Sequence, residues 1–378
     1  MNVAIAGVGQ TKVGEHWGLS LREMSLQAIE GALDEAGNPK VEALFVGNML
    51  AGLGGQLHLG PLIADYVGIV PKEAVRVEAT CASGGAAFRS ALHFVQATGK
   101  AALVCGVEKM TDVPPREATR ELVTAADAEL EGVHGPSFPA LNALLMRRYM
   151  HEFHCRVEDF ALFPVNAHKN AMHCEWAMYH RPITAQDVCE SKSISSPIRL
   201  LDCSPRSDGS ASAVLVPQAQ GIDTPVTVVG SAAATDTLTL AGRRDLLTLD
   251  AARESARLAY EMAHLGPGDI DVFELHDAFS IIAVLSLEAA GFAPRGGGVT
   301  LAMEGEIAPG GRIPICTFGG LKARGHPIGA TGVYQIVELV KQLRGDGGGN
   351  QVPAEVGMAQ SIGGVGGTAI THILARGD

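Results

Sequence analysis

One cysteine and two histidines stand at positions where their side chains could act together in nucleophilic catalysis. Cys81 follows a predicted strand and opens a predicted helix, where unpaired N–H groups and the helix dipole are expected to lower the pKa of its thiol. His326 lies in the glycine-rich turn 319–332 and is the best candidate for the base that a cysteine nucleophile needs. His276 stands at a predicted strand end, where ligands collect in α/β proteins, and could donate to a substrate carbonyl.

Each of these residues also has a purely structural explanation. Most cysteines are inert packing residues, and His326 could be a surface histidine in a structural turn. His276 could simply pack against the next helix. The loop Ser361–Gly367 offers backbone N–H groups, those of Gly363 and Gly364 among them, that could form an oxyanion hole, or it could be a flexible hairpin.

The elements that must position these residues alternate between strand and helix in the first part of the chain. The pattern predicts strands at 3–7, 43–47, 74–78 and 101–106, with helices at 21–36, 61–67 and 81–98. Ser20 is a plausible helix cap and Gly37 a plausible helix stop. Apolar strands alternating with helices predict α/β layers.

Residues 112–205 break this alternation with several prolines, and we call them the lid segment. Insertions of this length are usually functional lids or binding loops, here with helices predicted at 141–152 and 157–172. The lid histidines and cysteines fit no standard metal-site spacing, so no metal is predicted. Basic side chains that could bind a phosphate, or could equally be solvated surface charges, are Arg181, Lys192, Arg199, Arg206, Arg243 and Arg244.

The alternating pattern returns in the second half. Strands are predicted at 226–230, 272–275, 356–360 and 369–374, and helices at 250–263, from 279 through 290, and at 327–343. The strand 43–47 corresponds to 272–275, and the helix after Cys81 corresponds to the helix after His326. The sequence therefore predicts two similar α/β halves, 1–111 with 206–220 and 221–378, with the lid segment 112–205 inserted in the first.

Composition excludes several classes of function. The 378 residues carry a net charge of -12, which argues against nucleic acid or an anionic membrane as partner. Seven cysteines without regular spacing fit a reducing, cytoplasmic location better than a disulfide framework. The start of the chain has no signal-peptide pattern, and no apolar run approaches the roughly 20 residues that span a bilayer.

Several ordered blocks together resemble the thiolase superfamily, in its sterol-carrier-protein and archaeal types, over nearly the whole chain. The blocks are Cys81-Ala82-Ser83, Gly106-Val107-Glu108-Lys109-Met110, Asp208-Gly209-Ser210-Ala211, His276-Asp277-Ala278-Phe279 and Gly325-His326-Pro327. This resemblance implies a five-layer αβαβα fold. It also implies acetyl-CoA acetyltransferase activity through an acyl-Cys81 intermediate, with no permanently bound cofactor and with coenzyme A thioesters as substrates.

The resemblance assigns further roles and exposes one departure. Ala278 and Phe279 would contact substrate. In the family a second cysteine acts as acid or base in carbon–carbon bond formation, yet this chain has Ser361 at one usual position and Ala278 at the other. A serine hydroxyl is a poor base. Ser361, and Cys316 three residues before Gly319, are therefore only candidates for that role.

Other functions remain open at this level. The set of Cys81, His276 and His326 resembles the Cys-His-His active site of decarboxylating ketoacyl synthases, which need no second cysteine. The chain could also be an acyltransferase or aldolase subunit that needs an OB-fold partner protein, or a non-catalytic acyl-CoA-binding protein. The family resemblance implies a homodimer or tetramer.

Overall fold

A long, curled β-sheet organises the protein, whose computed structural model describes residues 2–51, 53, 55–218 and 226–377. The predicted domain boundary at 220/221 lies outside the described residues. In chain order the strands are β1 (Val3–Gln10), β2 (Ala43–Gly47), β3 (Glu73–Val77), β4 (Ala102–Glu108), β5 (Ser193–Ser195), β6 (Ile198–Arg199), β7 (Gly209–Pro217), β8 (Val226–Thr235), β9 (Val272–Glu274), β10 (Val356–Gly363) and β11 (Thr368–Arg376).

The helices fall between these strands and in the lid segment. In chain order they are α1 (Leu21–Glu35), α2 (Leu59–Tyr66), α3 (Ser83–Thr98), α4 (Pro115–Val123), α5 (Phe138–Phe153), α6 (Val157–Phe160), α7 (Leu162–Ala171), α8 (Ala185–Glu190), α9 (Asp250–Ala263), α10 (Ser280–Ala289), α11 (Gly298–Met303) and α12 (Thr331–Arg344). Within the described ranges, none of these helices is both long and apolar enough to cross a membrane.

The sheet consists of two runs of strands with the same plan. The first run has the order β3-β2-β4-β7-β1, and the second has the order β9-β10-β11-β8. In each run the outer pairs are parallel and the inner pairs are antiparallel. The two runs join where Ala4 of β1 pairs with Thr227 of β8. The correspondence predicted between β2 and β9, and between α3 and α12, is confirmed by this order.

Five layers follow from the contacts of the helices. Helix α1 packs on β1, β4 and β7, and α9 packs on β8 and β11. Helices α3 and α12 contact each other and strands of both runs, so they form the central layer. Most of their side chains are buried. The predicted αβαβα arrangement is confirmed, and the helices that follow Cys81 and His326 lie side by side at its centre.

Local sequence signals account for the ends of several helices. Ser20 accepts a hydrogen bond from the Glu23 N–H at 3.3 Å and Glu23 Oε2 accepts one from the Ser20 N–H at 2.7 Å, a capping box that starts α1 as predicted. Gly37, with φ of +72°, follows the end of α1. Ser137 caps α5, which therefore begins three residues earlier than predicted.

The lid segment is inserted between β4 and β7 but packs on the second half. Helix α5 contacts α10, and α6 and α7 contact α11. The single helix predicted over 157–172 is wrong, because the chain forms α6 and α7 with a break at Ala161. Pro164 has no N–H and fits only in the first turn of a helix, which explains why a new helix begins just before it.

Two predictions near the site are also corrected. The helix predicted from Pro327 begins at Thr331, after a 3-10 turn over Ile328–Ala330. Ser361 lies in β10 rather than in a loop, because the ladder with β11 continues to the pair Gly363 and Thr368.

Candidate active site

Cys81 sits in a tight turn between β3 and α3. Ser83 fixes this turn, because its hydroxyl accepts from the Ala79 N–H at 2.9 Å and donates to the Thr80 carbonyl at 2.5 Å. Thr80 adopts φ of +52°, an unusual conformation for a threonine. The turn holds Cys81 at 4% exposure, one residue before the helix cap.

The expectation that the helix end lowers the pKa of this thiol is wrong. Burial raises the pKa of Cys81 to about 12, and the nearby Glu108 carboxylate adds to the rise. The N–H groups of Gly364 and of Cys81 itself favour the thiolate but do not offset burial. The resting nucleophile is therefore a neutral thiol, which needs a base at the moment of attack.

His326 provides a base on the opposite wall. Its Nδ1 lies 2.7 Å from the Thr331 hydroxyl at the start of α12, which leaves Nε2 free for another partner. Helix α3 and the segment that leads into α12 pack closely, and this brings His326 near Cys81. There is no room for a side chain at Gly84, since a Cβ there would lie 2.8 Å from the Gly329 carbonyl and 2.9 Å from the Val333 nitrogen. Only glycine allows that approach.

His276 completes a cluster of three functional groups. It follows β9 and is 2% exposed. One ring nitrogen of His276, one of His326 and the Cys81 sulfur all lie within 4.8 Å of one another. The two rings meet edge to face with centroids 5.2 Å apart. The His276 Nδ1 is buried and has no hydrogen-bond partner among the described residues, which is unusual for a buried polar atom.

Both imidazoles are held neutral. Burial lowers the pKa of His276 to about 3, and the charge of Arg324 lowers it further. Burial, His276 and Arg324 together hold the pKa of His326 well below its usual value. A neutral imidazole can accept a proton from a thiol, so the cluster has the protonation states that general-base activation requires.

A cavity of about 350 Å³ opens onto the cluster. Its wall includes Cys81 and His326, the predicted substrate contacts Ala278 and Phe279, and Arg206. Much of the remaining lining is apolar. A cavity of this character suits an acyl chain beside a reactive thiol.

The glycine loop lies against the nucleophile turn. A Cβ on Gly363 would lie 2.6 Å from the Ala79 carbonyl, so a side chain at Gly363 would push the loop away. The next residue, Gly364, directs its N–H toward the Cys81 sulfur. Gly363 therefore packs on the nucleophile turn, and the N–H of Gly364 lies near the Cys81 thiol.

Ser361 and Cys316, the two candidates for the second acid or base, lie elsewhere. The Ser361 hydroxyl donates to Gln335 Oε1 at 2.8 Å, between the central helices and β10. The Cys316 thiol donates to the Leu275 carbonyl at 3.7 Å. Neither side chain lines the Cys81 cavity.

The predicted phosphate-binding cations divide into two groups. Arg181 and Arg206 line a second cavity of about 570 Å³, which shares the wall segment 203–206 with the Cys81 cavity. The others do not line either cavity. Arg243 is buried beside Asp236, with Nε 3.8 Å from Oδ2, and Arg199 donates to the Ser191 carbonyl, while Lys192 and Arg244 are exposed.

Two buried ionic residues were missed as parts of the site. Glu108 accepts hydrogen bonds from the Met49, Leu50 and Gly329 N–H groups, each at 3.0 Å, and so anchors the turn after His326. Arg324 lies behind the histidines, fully buried, with Nε 2.8 Å from Glu338 Oε1. Glu108 stands in one of the sequence blocks that resemble the family and Arg324 stands just before another, but a charged residue type alone predicts exposure rather than burial.

Family models and curated relatives match this chain over most of its length. Residues 3–196 match the thiolase N-terminal domain, and residues 232–376 match the thiolase C-terminal domain-like family. Acetyl-CoA acetyltransferase of Methanothermobacter thermautotrophicus is 46% identical, over 99% of this chain and all of the relative. Acetyl-CoA acetyltransferase of Methanocaldococcus jannaschii is 38% identical, over 99% of both chains.

A solved structure shares the whole architecture. The structure described as an Ltp2-ChsH2(DUF35) aldolase superimposes with a TM-score of 0.84 at 24% identity, covering 99% of this chain and 98% of that one. The resemblance predicted from the short motifs is confirmed. Matched in both halves by thiolase domains and along its length by a 46% identical relative, the chain belongs to the thiolase family.

Proposed function

We propose that this protein is an acetyl-CoA acetyltransferase that forms or cleaves 3-ketoacyl-CoA through an acyl group carried on Cys81. The observation that carries the proposal is the cluster of one thiol and two neutral imidazoles within 4.8 Å, at a largely apolar cavity. The 46% identity to a relative described as an acetyl-CoA acetyltransferase supports the choice of acyl group.

In the first half-reaction His326 acts as general base. Its free Nε2 takes the Cys81 proton as the sulfur attacks the thioester carbonyl, and the proton then leaves with the departing coenzyme A thiolate. Thr331 keeps the ring oriented through Nδ1. Because the resting thiol has a raised pKa, attack and proton transfer must be coupled.

Two sets of donors stabilise negative charge on oxygen. The Gly364 N–H, near the Cys81 sulfur, serves the carbonyl of the acyl group held there, with Gly363 allowing the close approach. His276, with an unpartnered buried ring nitrogen, serves the second carbonyl. Each such donor is worth about 10²–10³ in rate in acyl-transfer enzymes.

Coenzyme A thioesters are the substrates, and no permanently bound cofactor is part of the proposal. The two cavities are adjacent across the wall segment 203–206, and we assign the smaller to the acyl group and the larger to the phosphate-bearing end of coenzyme A. Arg206 lies at their shared wall and Arg181 in the larger cavity, so both are placed to meet phosphate. Lys192, Arg199, Arg243 and Arg244 are not needed for this arrangement.

Cleavage of acetoacetyl-CoA by coenzyme A tests the proposed activity. We expect the unaltered protein to produce acetyl-CoA, and Cys81→Ser to lose about 10³-fold or more of that rate, since a hydroxyl is a far weaker nucleophile than a thiol. Cys105→Ser is the matched control, because Cys105 lies buried in β4 outside both cavities. Equal rates in Cys81→Ser and the unaltered protein would refute the proposal. Carbon dioxide release from malonyl-CoA as the only reaction would support a decarboxylating condensation instead.

We also propose a homodimer that pairs through β3. This strand forms one edge of the sheet, and Val75 at its centre is 40% exposed. An exposed edge with apolar side chains favours pairing with a second copy. Light scattering should give a dimer mass or a multiple of it, and Val75→Lys should lower that mass. A monomeric unaltered protein would contradict the pairing.

The remaining proposals concern partner and location. All seven cysteines are free, which supports a reducing compartment such as the cytoplasm. We propose an OB-fold partner protein, as the family resemblance implies; the similar structure described as an Ltp2-ChsH2(DUF35) aldolase supports a partner protein without showing its fold. If such a partner is required, the purified chain alone will bind coenzyme A thioesters weakly and gain activity when the partner is added.

A further inference from the structure

Carbon–carbon bond formation needs a group that removes a proton from the methyl group of a second acetyl-CoA. This inference rests on the proposed function and concerns only that second half-reaction. A base must lie within hydrogen-bond reach of the proton it removes. The candidates are therefore the titratable groups at the Cys81 cavity.

Geometry argues against Ser361 and Cys316, the two candidates from the sequence, and against Cys203. Ser361 and Cys316 are bonded to Gln335 and to the Leu275 carbonyl, and neither lines the cavity. Cys203 does line it, but its thiol donates to the Arg199 carbonyl at 3.4 Å and it is not part of the 4.8 Å cluster. Burial raises the pKa of Cys203 to about 12, so it holds its proton.

We propose that His326 serves as the proton acceptor in both half-reactions, so that the enzyme works with a single catalytic thiol. Once Cys81 is acylated, the proton taken from it has left with coenzyme A, and His326 is again neutral. Its Nδ1 remains bonded to Thr331, and Nε2 again faces the acylated sulfur across the cavity.

The proton balance closes with this one imidazole. Nε2 of His326 takes a methyl proton from the second acetyl-CoA, and the resulting carbanion attacks the acetyl carbonyl on Cys81. The bond from that carbonyl carbon to the sulfur breaks, and the imidazolium returns its proton to the Cys81 thiolate. His276 donates to the enolate oxygen. Burial and Arg324 disfavour the charged ring, so the return of the proton is favourable.

Hydrogen exchange isolates this step from acyl transfer. Cys81→Ala cannot form the acyl enzyme, yet its His326 should still exchange the acetyl-CoA methyl protons with deuterium oxide. In the Cys81→Ala protein, the second substitution His326→Asn should lower that exchange by about 10²–10⁴-fold. In the same Cys81→Ala protein, Cys316→Ser should leave the exchange unchanged, and Cys203→Ser should not abolish it. Mass spectrometry of recovered acetyl-CoA measures the exchange, and circular dichroism confirms folding.

The variant Thr331→Val gives a second test of whether His326 serves both half-reactions. It keeps the shape of the side chain but removes the hydroxyl that orients His326. If one imidazole serves both steps, acylation of Cys81 and methyl exchange should fall together by a similar factor, because both need the same orientation of the ring. A fall in acylation alone would overturn the inference, as would exchange that survives His326→Asn or disappears in Cys203→Ser. None of these outcomes changes whether Cys81 is acylated in the unaltered protein, so the proposed function stands even where the inference fails.

Discussion

Replacing Arg324 should affect both the stability of the protein and the protonation of its histidines. The guanidinium is fully buried, with Nε 2.8 Å from Glu338 Oε1 on α12. Its Nη1 donates to the Gly325 carbonyl at 3.1 Å, and its carbon lies 4.9 Å from the centre of the Tyr334 ring. Arg324→Met therefore leaves a buried carboxylate unpaired and frees the backbone just before His326.

The expected cost follows from breaking a buried ion pair. Removal of one partner costs about 3–5 kcal/mol, because the other charge stays in a poor environment. Arg324→Met with Glu338→Leu removes both charges, and such apolar replacements are neutral or stabilising by about 1–4 kcal/mol. Urea unfolding of the single and double variants measures both values. A single variant as stable as the unaltered protein would contradict the buried pairing.

Activity of the stable double variant tests the electrostatic role of Arg324. Besides Glu338 and the two histidines, the titratable groups that interact with the charge of Arg324 include Tyr334, Glu274, Asp277 and Cys174. Without the arginine, the pKa values of His276 and His326 should rise, since its charge helps to lower both. More imidazole is then protonated at a given acidic pH, so the acid limb of the kcat/KM profile should move to higher pH. A double variant with an unmoved profile would show that Arg324 acts only as packing.

Three further predictions concern the core, pH dependence and the thiol. Gly84→Ala should separate α3 from α12 and cost about 3 kcal/mol together with most activity, whereas Gly310→Ala, with open space around it, should be silent. Burial lowers the pKa of His276 and of His372 from 6.5 to about 3 in the folded protein, so between these pH values only the unfolded chain binds the proton. The free energy of unfolding should therefore fall by about 1.4 kcal/mol for each histidine and each pH unit as the pH drops through this range. His372→Gln should make this slope shallower in urea titrations, and an unchanged slope would contradict it. Alkylation of Cys81 by iodoacetamide, mapped by mass spectrometry, should keep rising above about pH 10, and a plateau near neutrality would refute the raised pKa.

Much of the fold could be predicted because its signals are local. Apolar runs of strand length alternate with amphipathic helices, and Ser20 and Gly37 mark the ends of α1 where they were expected. The duplication could be recognised because both halves use the same order of strands and helices. Pro164 was a signal for a helix start that the continuous pattern over 157–172 concealed.

The electrostatics of the site could not be predicted from local pattern. A cysteine before a helix suggests a low pKa, but burial and Glu108 reverse the sign, and both depend on tertiary packing. Ser361 looked like part of a glycine loop because the sequence does not show how far the β10 ladder extends. Arg324 and Glu338 become a pair only when the histidine turn folds against α12.

Intact mass spectrometry after brief exposure to acetyl-CoA shows directly whether Cys81 carries the acyl group. We expect one added acetyl group, mapped to Cys81 by peptide analysis, absent in Cys81→Ser and formed far more slowly in His326→Asn. Acetyl transfer to another cysteine, or equal labelling of Cys81 without His326, would contradict it.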